Sequence, residues 1–152
     1  MNKNLNGFSL LELLIVVAIL SIIAVAGSSF YRNFGKTVVL SSSAQMIASD
    51  LKQVRSNSMI GNGGLLWGVH FVNSTNDYYE LFSTPTDYSN GAKSVVVTNY
   101  LPAGVTFSDP TEGNTKDIIF SKITGNSNTA TVSVASEGNT QTVNVTIIGT
   151  IY

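Results

Sequence analysis

One carboxylate stands where a carboxylate is costly. Within Gly7-Phe8-Ser9-Leu10-Leu11-Glu12, Glu12 is the only charged side chain from Phe8 to Gly27, and from Leu13 to Gly27 the only polar side chain is Ser21. An acid deep in hydrocarbon costs roughly 2.5–3.5 kcal/mol on insertion scales. It can snorkel to the interface, take up a proton, or be paired. Pairing has a source at hand: a cut after Gly7 would give Phe8 a new α-amino group, one helical turn or about 6 Å along the axis from Glu12. An amine and a carboxylate in apolar surroundings strongly prefer to be paired, because each is costly alone. Between chains stacked with an axial offset, such a pair would set register as well as cancel charge.

Other candidate chemistry is sparse. The chain has no Cys and a single His, which excludes disulfides, thiolate nucleophiles and Cys-ligated metals. His70 falls on the polar side of its strand, opposite Trp67, Val69 and Phe71, and reads as a solvent-facing residue rather than a catalytic base. One His without motif context makes no triad. Asp109, Glu112 and Asp117 gather around Pro110 and Gly113; hard cations want several oxygens, but the EF-hand spacing is absent and a solvated loop is the expectation. Tyr78, Tyr79, Tyr88 and Tyr100 offer either an adhesive surface or, as aromatics in strands usually do, core packing. No catalytic residue, metal or cofactor is expected.

The elements that position Glu12 begin with the apolar run itself. Twenty residues of helix rise about 30 Å, the thickness of a bilayer's hydrocarbon, and no proline precedes Pro85. The reading is one spanning helix over 8–27, with the basic end (Lys3) cytoplasmic by the positive-inside rule. Ala24-Val25-Ala26 also fits an ordinary secretory signal cut after Ala26, which would release a soluble, sheet-based binding protein. Against it stand Glu12, needless in a signal, and the helical pattern that continues past Ala26. Leu40, Ala44, Ile47, Leu51 and Val54 recur at spacings of four and three, an amphipathic stripe over 36–59. One helix from about Phe8 to Met59 would be about 75–80 Å long, with Gly27 and Gly35 its weak points.

Past Gly61-Asn62-Gly63-Gly64 the pattern changes. Residues 1–60 hold five Lys/Arg against two acids, residues 61–152 three against seven, and ten of the 13 glycines and all three prolines fall in the second part. Runs at Leu65–Val72, Tyr78–Phe82, Ser94–Leu101, Val105–Phe107, Ile118–Ser121, Thr129–Ala135 and Thr142–Ile148 alternate or are β-rich, and Ser136-Glu137-Gly138-Asn139 marks a hairpin. In its second arm Val143, Val145 and Ile147 share a face. The expected fold is α+β: a long N-terminal α-helix (about 8–59) packed on a C-terminal antiparallel β-domain (61–152).

Gly7-Phe8-Ser9-Leu10-Leu11-Glu12-Leu13-Leu14-Ile15-Val16-Val17 resembles the class III signal of type IV pilins and type II secretion pseudopilins. The resemblance implies a leader over 1–7, cleavage by prepilin peptidase between Gly7 and Phe8, N-methylation of Phe8, and neutralisation of a neighbouring subunit's N-terminus by Glu12 during filament assembly. It implies as partners other pilins or pseudopilins, an inner-membrane assembly platform and, before assembly, membrane lipid. It places the chain in the bacterial inner membrane, single-pass, with its C-terminal domain periplasmic or extracellular, and later in a pilus or pseudopilus. Ser49–Ile60, Trp67-Gly68-Val69-His70-Phe71, Leu101-Pro102-Ala103-Gly104-Val105-Thr106-Phe107 and the closing hairpin with Gly149 resemble landmarks of the FimT/GspH group, which implies a minor pilin or pseudopilin that primes or caps a filament. Some members bind DNA through a C-terminal Gly-Arg-x-Arg. Here Gly149-Thr150-Ile151-Tyr152 lacks both arginines and sits in an acidic half, so a DNA-uptake receptor is the weaker alternative.

Overall fold

The computed structural model describes residues 9–152, and for residues 26–33 only their place in a helix. Helix α1 (Leu10–Met59) is followed by a single 3₁₀ turn at Asn62–Gly64 and seven strands: β1 (Leu66–Val72), β2 (Tyr78–Thr84), β3 (Ser94–Tyr100), β4 (Thr106–Asp109), β5 (Thr115–Phe120), β6 (Ala130–Ser136) and β7 (Asn139–Val145). The chain divides into two compact units, Met1–Gly35 and Lys36–Tyr152.

In the first unit, the described part of α1 is apolar on every side. Its large hydrophobic residues from Leu10 to Val25 are 46% to 82% exposed. A helix apolar all round requires apolar surroundings. Among the described residues no helix is long and apolar enough to cross a membrane. The expected span over 8–27 lies partly outside them, since Phe8 is not described. Leu10 to Val25 alone rises about 24 Å, against about 30 Å of hydrocarbon.

In the second unit, α1 buries one stripe. Leu40, Ala44, Ile47, Leu51 and Val54 enter a core with Val69, Phe71, Tyr79, Leu81, Ile118 and Phe120 from one sheet and Phe107, Val132, Val134, Val143 and Val145 from the other. The helix stops where Gly61 takes a left-handed conformation (φ 68°) that a side chain would resist. The N-terminal helix thus packs on antiparallel sheets, the α+β arrangement expected from the pattern and the pilin-like one that the resemblance implies.

The strands form two sheets, ordered β3-β2-β1-β5 and β4-β6-β7, every pairing antiparallel. The sheets are joined where Lys116 of β5 pairs with Asp109 of β4 and donates to the Thr131 carbonyl of β6 at 2.9 Å. Burial opposes the Asp109 charge, but its bonds to Lys116 and Thr131 outweigh this and hold the carboxyl below its ordinary range.

Two expectations need correction. The last arm of the closing hairpin runs 139–145, not 142–148. Glu137 and Gly138 both have positive φ (47° and 83°), the geometry of a two-residue turn of primed type, so pairing starts at once with Ser136 opposite Asn139. Val143 and Val145 are buried as expected, but Ile147 is 66% exposed. It lies in a turn closed by Thr146 N–H to Thr150 O at 2.9 Å, after which Ile151 returns to pair with Val145.

His70 is the second correction. It is buried, at 7% exposure, rather than solvent-facing. The segment between β2 and β3 folds over that face of the sheet: the Tyr88 ring stacks on the imidazole at 3.6 Å and meets Phe82 edge-on. Phe82 can lie flat there because its partner across the strands is Gly68, where a Cβ would come within 2.7 Å of the ring and 2.8 Å of the Ile118 carbonyl.

Candidate functional site

The N-terminal candidate is built from Ser9 and Glu12. Ser9 immediately precedes α1, and its Oγ accepts the Glu12 backbone N–H at 3.2 Å while its carbonyl accepts Leu13 N–H. Ser9 is therefore the N-cap, and Ser9-x-x-Glu12 has the spacing of a capping box, a signal legible in the sequence that the reading of Glu12 as a membrane acid passed over. The Glu12 side chain is exposed in the first turn, where the positive end of the helix dipole favours a negative charge. Ser21, the other polar side chain of the described apolar run, is satisfied by its own helix through a 2.8 Å bond to the Val17 carbonyl. Glu12 is thus the one charge in that run. Gly7 and Phe8 lie outside the described residues.

The other candidates do not converge. His70 Nδ1 donates to Asp117 Oδ1 at 2.5 Å, and Asp109 is committed to Lys116 and Thr131. The three acids around Pro110 are thereby separated, and among the described residues no group of three metal-ligating side chains comes together. The tyrosines take different roles. Tyr79 is buried and donates to Asp50 Oδ2 at 2.7 Å, Tyr88 donates to Glu80 Oε2 at 2.5 Å, and Tyr78 packs against the exposed Tyr100. A groove of about 440 Å³ lies between α1 and the end of β3, lined by Val38, Val39, Met46, Tyr100, Leu101 and Pro102 among others. Those side chains offer apolar surface and no acid–base pair.

Sequence reasoning missed what the end of α1 does. Arg55 reaches past the helix terminus: Nε donates to the Gly125 carbonyl at 3.2 Å and Nη2 to the Ile148 carbonyl at 3.1 Å. Ser58, fully buried, donates to the Phe120 carbonyl at 2.6 Å. Gly149 (φ 76°) sits against Arg55 and the Gly125 carbonyl, where a Cβ would collide with both. Arg55 and Gly149 belong to separate resemblance-bearing stretches, and no local signal announces that they touch.

Residues 2–28 match the family model described as the prokaryotic N-terminal methylation motif. No curated protein and no solved structure matches the chain. The motif implies a membrane-anchored prepilin, processing by prepilin peptidase and assembly with other pilins, and it marks structural subunits rather than enzymes. With Glu12 exposed in the first turn of a helix that is apolar on every side from Leu10 to Val25, the chain carries at its N-terminus the methylation motif of type IV pilins and pseudopilins.

Proposed function

We propose that this chain is a minor pilin or pseudopilin of the FimT/GspH type, a low-copy subunit that initiates or caps a type IV pilus or a type II secretion pseudopilus. On this reading residues 1–7 are the leader, 8–59 the assembly helix and 61–152 the β-domain. Prepilin peptidase cuts between Gly7 and Phe8, Phe8 is N-methylated, and the chain waits in the bacterial inner membrane with its C-terminal domain on the far side. The assembly platform then extracts it into a bundle in which Glu12 neutralises the Phe8 ammonium of an adjacent subunit. The observation that carries the reading is Glu12: one exposed acid in the first turn of a helix whose apolar residues from Leu10 to Val25 are exposed on every side.

The contact of Arg55 with Gly149 supports the narrower assignment, because it joins two stretches that resemble the group's landmarks. DNA uptake draws less support. Lys36 pairs with Glu137, Lys116 with Asp109, Lys93 lies over the Tyr88 ring and Arg55 binds backbone carbonyls. Phosphate binding needs clustered, available cations.

The test is the mature N-terminus together with Glu12→Ala. Phe8 is expected as the first residue of the processed chain; a start at Gly27 would end the pilin reading. Glu12→Ala should be cleaved at close to the normal rate yet be largely missing from sheared fibres, and its incorporation at wild-type level would refute the pairing role.

A further inference from the structure

We propose that Asn62 is a site of spontaneous deamidation, and that the conversion releases the anchor of the chain's single tryptophan. Two Asn-Gly pairs lie among the described residues, Asn62-Gly63 and Asn90-Gly91. The reaction needs a carboxamide free to swing toward the next residue's nitrogen, and a following residue without a side chain. The two sites differ sharply in the first requirement. The Asn90 carboxamide is held at both ends: Nδ2 donates to Thr86 Oγ1 at 2.9 Å and Oδ1 accepts Ala92 N–H at 2.8 Å. Asn62 is exposed and its carboxamide has no hydrogen bond among the described residues.

The surroundings of Asn62 add freedom. Gly61, Gly63 and Gly64 all have positive φ, and the positions of a Cβ on Gly61 or Gly64 face open space. Such a segment rotates with little steric cost. The two bonds of the turn are donated by Gly64 to the Gly61 carbonyl and by Leu65 to the Asn62 carbonyl, which leaves the Gly63 N–H out of them.

The chemistry closes with water alone. The Gly63 nitrogen, losing its proton to hydroxide, attacks Asn62 Cγ. A C–N bond forms, the carboxamide nitrogen leaves as ammonia, and a succinimide results. Water opens it at either carbonyl to give Asp or isoaspartate. The isoaspartyl form carries the chain through the former side chain, with one more methylene in the backbone. That displaces the Asn62 carbonyl, which accepts the Trp67 indole N–H at 3.0 Å and the Leu65 N–H at 3.4 Å. The joint between α1 and β1 is thereby loosened and gains a negative charge.

The experiment incubates the purified full-length chain in detergent at mildly alkaline pH, with peptide mass mapping and Trp67 fluorescence over time. The Asn62 peptide is expected to convert several-fold faster than the Asn90 peptide. Trp67 emission should move in step with conversion and stay constant in Asn62→Gln, whose longer side chain closes the ring far more slowly. The proposal is overturned if the Asn90 peptide keeps pace with Asn62, or if Trp67 emission stays unchanged while the Asn62 product accumulates.

Discussion

Asp50 is the polar hinge between helix and sheet at the residue scale. Its Oδ2 accepts from the Tyr79 phenol at 2.7 Å and from Asn99 Nδ2 at 3.1 Å, so one carboxylate of α1 ties down β2 and β3. Burial first, and then the Asp50 carboxylate, push the Tyr79 phenol above its ordinary value. Tyr88 is raised the same way, by burial and then by Glu80. The folded chain therefore keeps phenolic protons that the unfolded chain releases near pH ~10. The sign follows: this stability is complete below about pH 10 and drains away as pH rises toward the folded values. Tyr79→Phe should cost about 1 kcal/mol at neutral pH through the lost bond. It should also flatten the alkaline fall in stability, with Tyr79→Phe/Tyr88→Phe flatter still, measured as urea midpoints from pH 7 to pH 11. An unchanged alkaline slope in the double variant would show that these phenols do not report on folding.

Among the elements, the turn after β5 carries the clearest strain. Ile123 has φ 67° and is 76% exposed, its N–H donating to the Ser58 carbonyl at 3.1 Å. The left-handed region costs an L-residue about 1–2 kcal/mol, and a β-branched one has least business there. Ile123→Asn should stabilise the chain by up to about 1 kcal/mol, since Asn tolerates this conformation. Gly149→Ala should do the opposite and cost about 2–4 kcal/mol, because the same backbone penalty is joined by overpacking against Arg55 and the Gly125 carbonyl. Thermal melts of the two variants should move in opposite directions; a shared direction would show that these turns are not read correctly. The contrast also explains what was legible in the sequence. Alternation marked β1 and the two arms of the closing hairpin, because a half-buried strand writes its face into every second residue, whereas β3, exposed along nearly its whole length, was legible only from its β-rich composition. The Glu137-Gly138 turn shifted β7 by three residues, since its type depends on a left-handed Glu that composition does not announce. His70 was misread because the ring that covers it, Tyr88, arrives from a polar loop, and only the tertiary fold brings the two together.

For the molecule as a whole, the helical stripe was the most legible feature and is the one on which the second unit depends. Spacings of four and three identified Leu40, Ile47, Leu51 and Val54, and these are 1% exposed or less. Burying four such side chains is worth about 6–12 kcal/mol as an upper bound, comparable to the entire stability of a domain, about 5–15 kcal/mol. Every member of the buried core lies between Leu40 and Ile151, inside the compact unit Lys36–Tyr152. A fragment of residues 36–152 should therefore fold alone, with a single cooperative urea transition and a dispersed NMR spectrum. A fragment of residues 61–152 keeps all seven strands but loses the helix that covers Val69, Phe71 and Tyr79, together with Arg55 and Ser58. It should show no cooperative transition and should aggregate or bind hydrophobic dyes. A sharp transition in the shorter fragment would mean that the sheets hold their own core and that α1 is an accessory to the β-domain rather than part of it.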